Sequence, residues 1–468
     1  MKDIPRIVKE IETNYPVDTI LVNGEQVWPY MRMAYYFWHV HKVASEWGAK
    51  FPFPPFATRL MQMVKNSLYG FTSWFGRYDY IALSDTSERK NINGRYFNKL
   101  LDPIIDALGQ DKVLYIENPA PALYPARKVH TKNIVCLDFL TLLALILMVP
   151  KMFIRTKDMI QNRAILETIQ KEYGSGLNYV KETKFFNARR RGFSLLFGRI
   201  KPGALLLSGY YSYIPAVKAA KDLGIKVIEF QHGAIGKEHS AYNVHIRIDK
   251  SYFPDYLLVF GRGDIKTFDN SRFIEPENVY PVGSFYIEHV RKNHKLDASL
   301  LERIRNYRLS VGITLDWMTE KQAIEFICQA ANLDKATFYI LIPRVPQEQH
   351  YTTLNLPDNV MVIKDKNFYE VAMYVDFHAT VISSCALEAP SLGVQNIFIN
   401  IDNLSKQYYG DILKDKRLTR YADTPKEFVE IINTFEKLDR DIICRLNEDI
   451  IATGYEENLH KFIERHLK

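Results

Sequence analysis

The stretch Glu229-Phe-Gln-His-Gly-Ala-Ile-Gly236 sets a glutamine and a histidine directly behind an apolar run, in a segment with two glycines. Lys237, Glu238, His239 and Tyr242 follow closely. A histidine at a strand end can take a proton as general base, or stabilise a departing phosphate as a donor. Gly233 and Gly236 leave room for backbone N–H groups to approach a phosphate or a sugar. A structural histidine in a tight turn accounts for an isolated residue equally well. The order Gln231-His232-Gly233, with a Lys-Glu-His cluster behind it, favours chemistry. His232 and Glu238 are therefore candidate catalytic groups, and Gln231, Gly233 and His239 candidate acceptor-side residues.

A second set is Val381-Ile-Ser-Ser-Cys-Ala-Leu-Glu-Ala-Pro-Ser-Leu-Gly393. Ser383 and Ser384 stand where an apolar run turns into a helix. Their hydroxyls and the N–H groups of a helix start suit a nucleotide phosphate. Glu388, one turn on, can accept from ribose or sugar hydroxyls. An ordinary N-cap with a helical glutamate is the plainer reading. Arg344, just behind the run Tyr339–Ile342, can pair with a phosphate or simply sit on the surface. Smaller polar loops occur at Ser208-Gly209-Tyr210, Ser84-Asp85-Thr86, Gly283-Ser284 and Gly312-Ile-Thr314. Asp85, with Glu88, suits a catalytic base on the acceptor side. Gly209 and Tyr210 are placed with the acceptor, Gly312 and Thr314 with the donor. There is no P-loop, GxGxxG or HExxH, and no clear DxD, which argues for metal-independent chemistry without a cofactor. Cys136, Cys328, Cys385 and Cys444 are far apart, which argues against a disulfide framework or a zinc site and suits a reducing cytoplasm.

Residues at strand ends need strands to carry them. Short apolar runs alternate with amphipathic stretches, the signature of βα units. The spacing predicts strands at Thr19–Val22, Tyr80–Leu83, Val113–Ile116, Ala204–Ser208, Lys226–Phe230, Asp255–Phe260 and Val279–Val282. A long polar helix is expected around Thr156–Tyr173, and basic, irregular chain over 175–200. After a charged helix at Ala298–Tyr307 the pattern restarts. Strands are expected at Leu309–Thr314, Thr337–Ile342, Val360–Ile363, Ala379–Ser383 and Asn396–Ile399, with helices between them, one at Cys385–Leu392, and helices dominating toward the end. This organisation predicts a first domain over 1–290, a second over 308–440 and a final helix in 441–468, which by analogy with other two-Rossmann proteins packs back on the first.

The bulk numbers agree with a globular enzyme. Of 468 residues, 47% are hydrophobic and 25% charged, a mix able to bury real cores. The net charge of +7 is spread along the chain, and its densest basic run, Arg189–Arg191, is too short to argue for nucleic acid. Met1-Lys-Asp-Ile-Pro5 lacks the apolar core of a signal peptide. The apolar segment Val135–Pro150 is too short to span a bilayer. It reads as a core helix, or as an interfacial one flanked by Lys151, Arg155 and Lys157.

Taken in order, these motifs resemble those of bacterial surface-polysaccharide glycosyltransferases of the GT-B fold, the capsule and lipopolysaccharide group. Such proteins carry a strand-E-x-Q-H-G loop late in the first domain, here Glu229–Gly233. A V-G-S linker follows, here Val282–Ser284. Then comes a strand-S-S-x-x-x-E-A-x-x-x-G helix, here Ser383, Ser384, Glu388, Ala389 and Gly393. The likeness covers roughly 200–400. It implies two Rossmann-like α/β domains facing a central cleft, with the donor nucleotide near Ser383, Ser384 and Glu388, and His232 on the acceptor side. It further implies a glycosyltransferase using a CMP-, UDP- or GDP-linked sugar and a glycan or glycolipid acceptor in capsule, lipopolysaccharide or O-antigen synthesis. The paired serines are also similar to those of CMP-sugar transferases, which carry a His-Pro where this sequence reads Ile342-Pro343-Arg344 and lacks the histidine. Two alternatives share the fold: a polyol-phosphate transferase or nucleotide-sugar epimerase, and a non-catalytic degenerate transferase in an assembly complex. The expected place is the cytoplasm, with peripheral contact at the inner face of the membrane.

Overall fold

The computed structural model describes residues 4–46, 55–120, 122–148, 159–236, 239–268, 272–293, 297–316, 318–344, 351 and 354–468. The chain divides into two compact units. The first domain joins Lys2–Val259, Ile265–Val282 and Glu456–Lys468, and the second joins Phe260–Asp264 and Gly283–Tyr455.

The strands of the first domain are β1 (Leu21–Val22), β2 (Glu25–Gln26), β3 (Tyr80–Asp85), β4 (Arg89–Ile92), β5 (Arg95–Asn98), β6 (Val113–Asn118), β7 (Ile134–Cys136), β8 (Ile160–Gln161), β9 (Ala204–Ser208), β10 (Lys226–Phe230), β11 (Tyr256–Val259) and β12 (Val279–Pro281). Seven of them form one parallel sheet in the order β12-β11-β10-β9-β3-β6-β7. Ala-Leu-Leu-Leu-Ser in β9 is buried throughout, as a central parallel strand covered on both faces must be. The run at Thr19–Val22 does not join that sheet. Leu21–Val22 pairs antiparallel with β2 and β8 in a small sheet of its own.

The second domain contains β13 (Leu309–Thr314), β14 (Thr337–Ile342), β15 (Val360–Val362), β16 (Phe377–Thr380), β17 (Gln395–Ile399) and β18 (Thr419–Ala422). They form a parallel sheet in the order β15-β14-β13-β16-β17-β18. Counted along the chain within each sheet, both orders read 3-2-1-4-5-6, with a seventh strand added in the first. This is the doubly wound nucleotide-binding order. It reverses between β3 and β9, and again between β13 and β16. Loops leaving neighbouring strands on the two sides of such a reversal run to opposite faces, and the gap they leave is where these sheets bind ligands.

Several expected elements differ. Residues 175–200 read as irregular because of their arginines and glycines. They instead contain a helix, Tyr179–Ile200, capped by Asn178 accepting from Lys181 N at 3.0 Å. Its Thr183, Phe186, Phe193 and Phe197 are buried at helical spacing, so packing overrides composition. The polar helix expected at Thr156–Tyr173 covers Arg163–Tyr173, and 156–158 lie outside the described residues. The apolar helix Asp138–Met148 was expected in the core, yet only Leu140 and Ala144 are buried. Lys151, Arg155 and Lys157 lie outside the described residues. The strand expected at Ala379–Ser383 ends at Thr380, and the helix behind it breaks into Cys385–Glu388 and a 3-10 turn at Pro390–Leu392. Pro390 has no N–H to continue the α-helix. Helices dominate the end as expected, with one strand, β18, among them.

Two glycines admit the chain's last crossing. A Cβ on Gly261 would fall 2.3 Å from Asp449 O, and one on Gly283, at φ +89°, 2.3 Å from Ala452 O. Backbone meets backbone there, which no larger residue permits. The helix Tyr455–His466 then lays Phe462 against Tyr280 and Tyr256 (ring centroids 5.0 and 5.8 Å) at the edge of the first sheet.

Candidate active site at the strand ends

In the first domain, β9 ends at Ser208 and Gly209 turns the chain at φ +67°. Ser208 Oγ lies 2.8 Å from Ser84 Oγ of β3, a hydroxyl bridge across the reversal. Glu229 of β10 braces the turn. Its Oε1 accepts from Tyr210 N at 3.1 Å and from Tyr242 OH at 2.7 Å. The side chain is fully buried, and burial pushes its pKa up to about 8, so the carboxyl is largely protonated at neutral pH.

His232 follows in the loop. Its Nε2 lies 2.9 Å from Tyr211 OH, and its Nδ1 is buried with no hydrogen-bond partner among the described residues. Burial lowers its pKa, and the nearby carboxylates of Glu88 and Asp85 pull it part of the way back. The ring is therefore neutral at pH 7. When Nε2–H donates to Tyr211, Nδ1 carries an open lone pair. When Tyr211 donates to Nε2, Nδ1 carries the proton. A Cβ on Gly209 would sit 3.5 Å from His232 Cε1, so this glycine keeps the histidine's flank clear.

Asp85 ends β3 and accepts from Ser87 N at 2.9 Å. Its pKa is raised, chiefly by burial, with the Ser87 hydroxyl opposing. Glu88 also faces Lys99 at 3.7 Å. Gln231 is buried, and its Nε2 donates to Gly233 O at 2.9 Å, bracing its own loop. Tyr210 is buried and donates its hydroxyl to Ala241 O. It is a packed brace. Gly233 has open space beside its Cα, with nothing among the described residues within 4 Å of a built Cβ. His239 packs on Tyr242 and Tyr211 (4.8 and 5.8 Å), and its Nδ1 accepts from Ala241 N at 3.3 Å. Burial and then the neighbouring His232 hold its pKa down at about 3, which leaves it neutral at physiological pH. Glu238 lies outside the described residues.

The segment behind this loop is tied to the N-terminal helices. Glu12 Oε1 accepts from Arg32 Nε at 2.7 Å and Trp28 Nε1 at 2.9 Å, and Glu12 Oε2 accepts from His245 N at 2.9 Å. Arg32 Nη2 donates to Asn243 O at 2.7 Å. Breaking one partner of such a buried pair leaves the other charge uncompensated.

The second domain has its own bridge across the reversal: Thr380 Oγ1 donates to Thr314 O at 2.9 Å. Thr314 Oγ1 lies 2.9 Å from His378 Nε2, and His378 Nδ1 lies 2.7 Å from Asn396 Oδ1. Gly312 and Thr314 are thus positions of the strand expected at Leu309–Thr314, and not of the polar loop also expected there. A Cβ on Gly312 would press on Val375 Cγ2 at 3.3 Å. The loop after β13 is set by Asp316, whose Oδ1 accepts from Met318 N and Thr319 N, both at 2.9 Å.

Ser383 and Ser384 are half-buried. The N–H groups behind them turn back on the same residues: Cys385 N on Ser383 Oγ (3.3 Å), Ala386 N on Ser383 O (3.1 Å) and Leu387 N on Ser384 O (3.0 Å). Ser384 makes no side-chain cap bond. Glu388 is buried and receives Tyr369 OH at 2.8 and 2.9 Å. Arg344 is exposed just past β14. Asp439-Arg440-Asp441 does spell DxD, but Asp439 caps the next helix by accepting from Asp441 N at 2.9 Å. Among the described residues no cluster of three His, Cys, Asp or Glu side chains could hold a metal ion.

Sequence reasoning passed over Tyr211 and Asp316. For Tyr211 a signal existed, since an aromatic pair directly behind a strand-end glycine lies in the loop where a ligand would sit. For Asp316 it was an acidic residue two positions beyond β13.

No family model matches the chain, and no curated protein matches it in sequence. Solved structures do match it in shape. One, described as a UDP-N-acetylglucosamine 2-epimerase from Listeria monocytogenes, is 9% identical, covers 84% of this chain and 97% of its own, and has a TM-score of 0.52. A glycotransferase of kitacinnamycin is 12% identical over 84% of this chain and all of its own (100%), with a TM-score of 0.51. MnaA from S. aureus, in a structure with UDP, is 10% identical over 82% and 95%, with a TM-score of 0.50. At such identities the likeness speaks to fold. With two doubly wound sheets in this order, the chain has the GT-B fold, built of two Rossmann-like domains.

Proposed function

We propose that this protein is a nucleotide-sugar-dependent glycosyltransferase in which His232 is the acid–base group. The observation that carries the reading is His232 itself: a neutral ring beside the reversal of the first sheet, fixed through one nitrogen by Tyr211 and open at the other. In the transfer, the acceptor hydroxyl gives its proton to the open ring nitrogen as its oxygen attacks the anomeric carbon. The bond from that carbon to the nucleotide phosphate breaks, and the phosphate leaves with the electron pair. The carboxylates of Asp85 and Glu88 stabilise the imidazolium that forms. In the second domain, Ser383, Ser384 and Arg344 are assigned to the nucleotide phosphates and Glu388 to a ribose hydroxyl. The acceptor is assigned as a glycan or glycolipid of a surface polysaccharide, on the motif order described above.

One observation favours a second reading. His232 Nδ1 is shielded from solvent, which also suits removal of a proton from a sugar carbon, the step an epimerase of this fold needs. The two separate cleanly. Binding is first screened calorimetrically against CMP-, UDP-, GDP- and CDP-linked sugars. A donor consumed only when an acceptor is present supports transfer, and an isomerised donor formed with no acceptor supports epimerisation. A His232→Ala protein that folds and remains fully active would falsify the role given to His232 in both.

A further inference from the structure

The helix Phe56–Ser67 and the 3-10 turn Phe71–Phe75 lie in the first domain and carry none of the candidate site residues. Only Met63 and Ser67 of the helix are buried. Leu60, Met61, Val64 and Leu68 fall within one arc of about 100° at the helical period. All four are exposed, Met61 at 69% and Leu68 at 67%, and so are Phe56 at 75% and Phe75 at 68%. Large apolar side chains scattered singly on a surface are ordinary, but a contiguous patch marks a binding face.

The face is held rigidly. Asn66 Nδ2 donates to Asp138 Oδ2 at 2.7 Å, which fastens the helix to Asp138–Met148. Gly70, at φ +62°, lets the chain graze Ile134 O, where a Cβ would fall at 1.7 Å. Trp74 is buried on Phe139 (4.9 Å), and Phe71 packs on Phe75 (5.4 Å) and Phe139 (6.2 Å). A frayed helix would expose apolar side chains by accident, whereas these anchors hold this one outward.

Charge names the occupant. From Pro55 to Tyr78 the sequence has no aspartate or glutamate, and its ionisable side chains at neutral pH are the exposed Arg59, Lys65 and Arg77. Lys65 lies at the edge of the apolar arc, where its stem can lie along the apolar layer and its ammonium reach the headgroups. Arg59 lies on the other side of the helix, toward Asp138, so the charge beside the stripe is that of Lys65 and Arg77. An apolar stripe with such a basic edge fits an anionic lipid surface. Among the described residues no helix is long and apolar enough to cross a membrane.

We infer that this face seats the protein on the surface of an anionic bilayer, with Met61, Leu68 and Phe75 entering the acyl boundary and Lys65 and Arg77 on the headgroups. The inference does not depend on the proposed transfer reaction, and its test reads no activity. The full chain is co-sedimented with phosphatidylglycerol-containing vesicles and with pure phosphatidylcholine vesicles. Expected is salt-sensitive binding to the first and weak binding to the second. Met61→Ser with Phe75→Ser should lower the partition coefficient by about tenfold or more. Lys65→Glu should weaken binding to phosphatidylglycerol and leave the residual binding to phosphatidylcholine. Because every substituted residue is exposed, melting temperatures should stay at the parent value, which separates lost docking from lost folding. No binding to either vesicle, or undiminished binding by the double serine variant, overturns the inference. So does light scattering that finds a dimer which the same two substitutions dissociate, since the face would then be covered by a second copy.

Discussion

The two domains share a strand order and close its reversal in the same way, with a hydroxyl bridge: Ser84 to Ser208 in the first, Thr380 to Thr314 in the second. They differ in where the ionisable side chains stand. The second domain keeps His378 inside the sheet, one nitrogen on Thr314 and the other on Asn396, and gives Glu388 to Tyr369. The first places His232 beyond the strand end with one nitrogen bonded and one open. Burial lowers both histidines, His378 to about 4. A perturbed pKa alone therefore does not identify the chemical residue. Between these two the unsatisfied nitrogen makes the separation, because a group with both nitrogens bonded has no place for a substrate proton. The nitrogen alone is not enough, since His466 Nε2 is also buried without a partner, and the place of His232 at a strand end is needed beside it.

The strongest way to break this comparison is to remove each histidine. His232→Ala should lower turnover by about 10²- to 10⁴-fold, the range for losing a general acid–base group, with nucleotide affinity nearly unchanged. His378→Ala should do the opposite. It leaves Thr314 and Asn396 with buried unpaired groups and should cost on the order of 2–4 kcal/mol of stability, with turnover per folded molecule retained. Initial rates and thermal melts on the two variants decide it. A His378 variant that melts normally and is inactive would reverse the assignment.

The pH dependence of stability offers a second test. His239 and His378 have folded pKa values of about 3 and about 4, below the ordinary histidine value. Each contributes stability that is present above about pH 6.5 and lost as the pH falls toward its folded value, because only the unfolded chain takes the proton readily. Glu229 runs the other way. With a folded pKa of about 8, it contributes stability present below the unfolded value of a glutamate and lost as the pH rises through about 8. Glu229→Gln should therefore flatten the alkaline slope between about pH 4.5 and 8, and His378→Asn the acid slope between about pH 6.5 and 4. Urea unfolding across that range measures both. An unchanged alkaline slope in Glu229→Gln would show that this carboxyl is not held neutral.

What the sequence disclosed follows from range. Ala204–Ser208 and Thr337–Ile342 announce themselves because a parallel strand buried on both faces needs an unbroken apolar run, and a run is a local property. Gly209 is legible for the same reason, as the punctuation that ends one. The helix at Tyr179–Ile200 was hidden because its formation depends on distant partners. A Cβ on Gly192 would lie 3.8 Å from Leu140 O, and Arg190 is charge-paired with Glu25 and Asp222. The same limit applies at the site. His232 is conspicuous from its neighbours in sequence, but Tyr211, which fixes its ring, stands 21 residues earlier. The apolar segment at Asp138–Met148 showed its composition without showing which side of it is covered.

The finest contrast between the domains lies in two glycines that the sequence made look alike. Each stands in or beside a strand end with polar neighbours, and each was assigned to ligand approach. Gly312 is hemmed in: a Cβ would meet Val375 Cγ2 at 3.3 Å and Val371 Cγ1 at 3.5 Å. Gly312→Ala overpacks the core and should cost about 1–2 kcal/mol, with catalysis per folded molecule intact. Gly233 has open space, so Gly233→Ala should change stability by no more than about 0.5 kcal/mol. Any effect it has must then fall on KM or kcat, through a ligand that uses the space. Melting curves and steady-state rates on the two alanine variants separate the cases. A Gly233→Ala protein with parental stability and parental kinetics would show that no substrate uses the space beside Gly233.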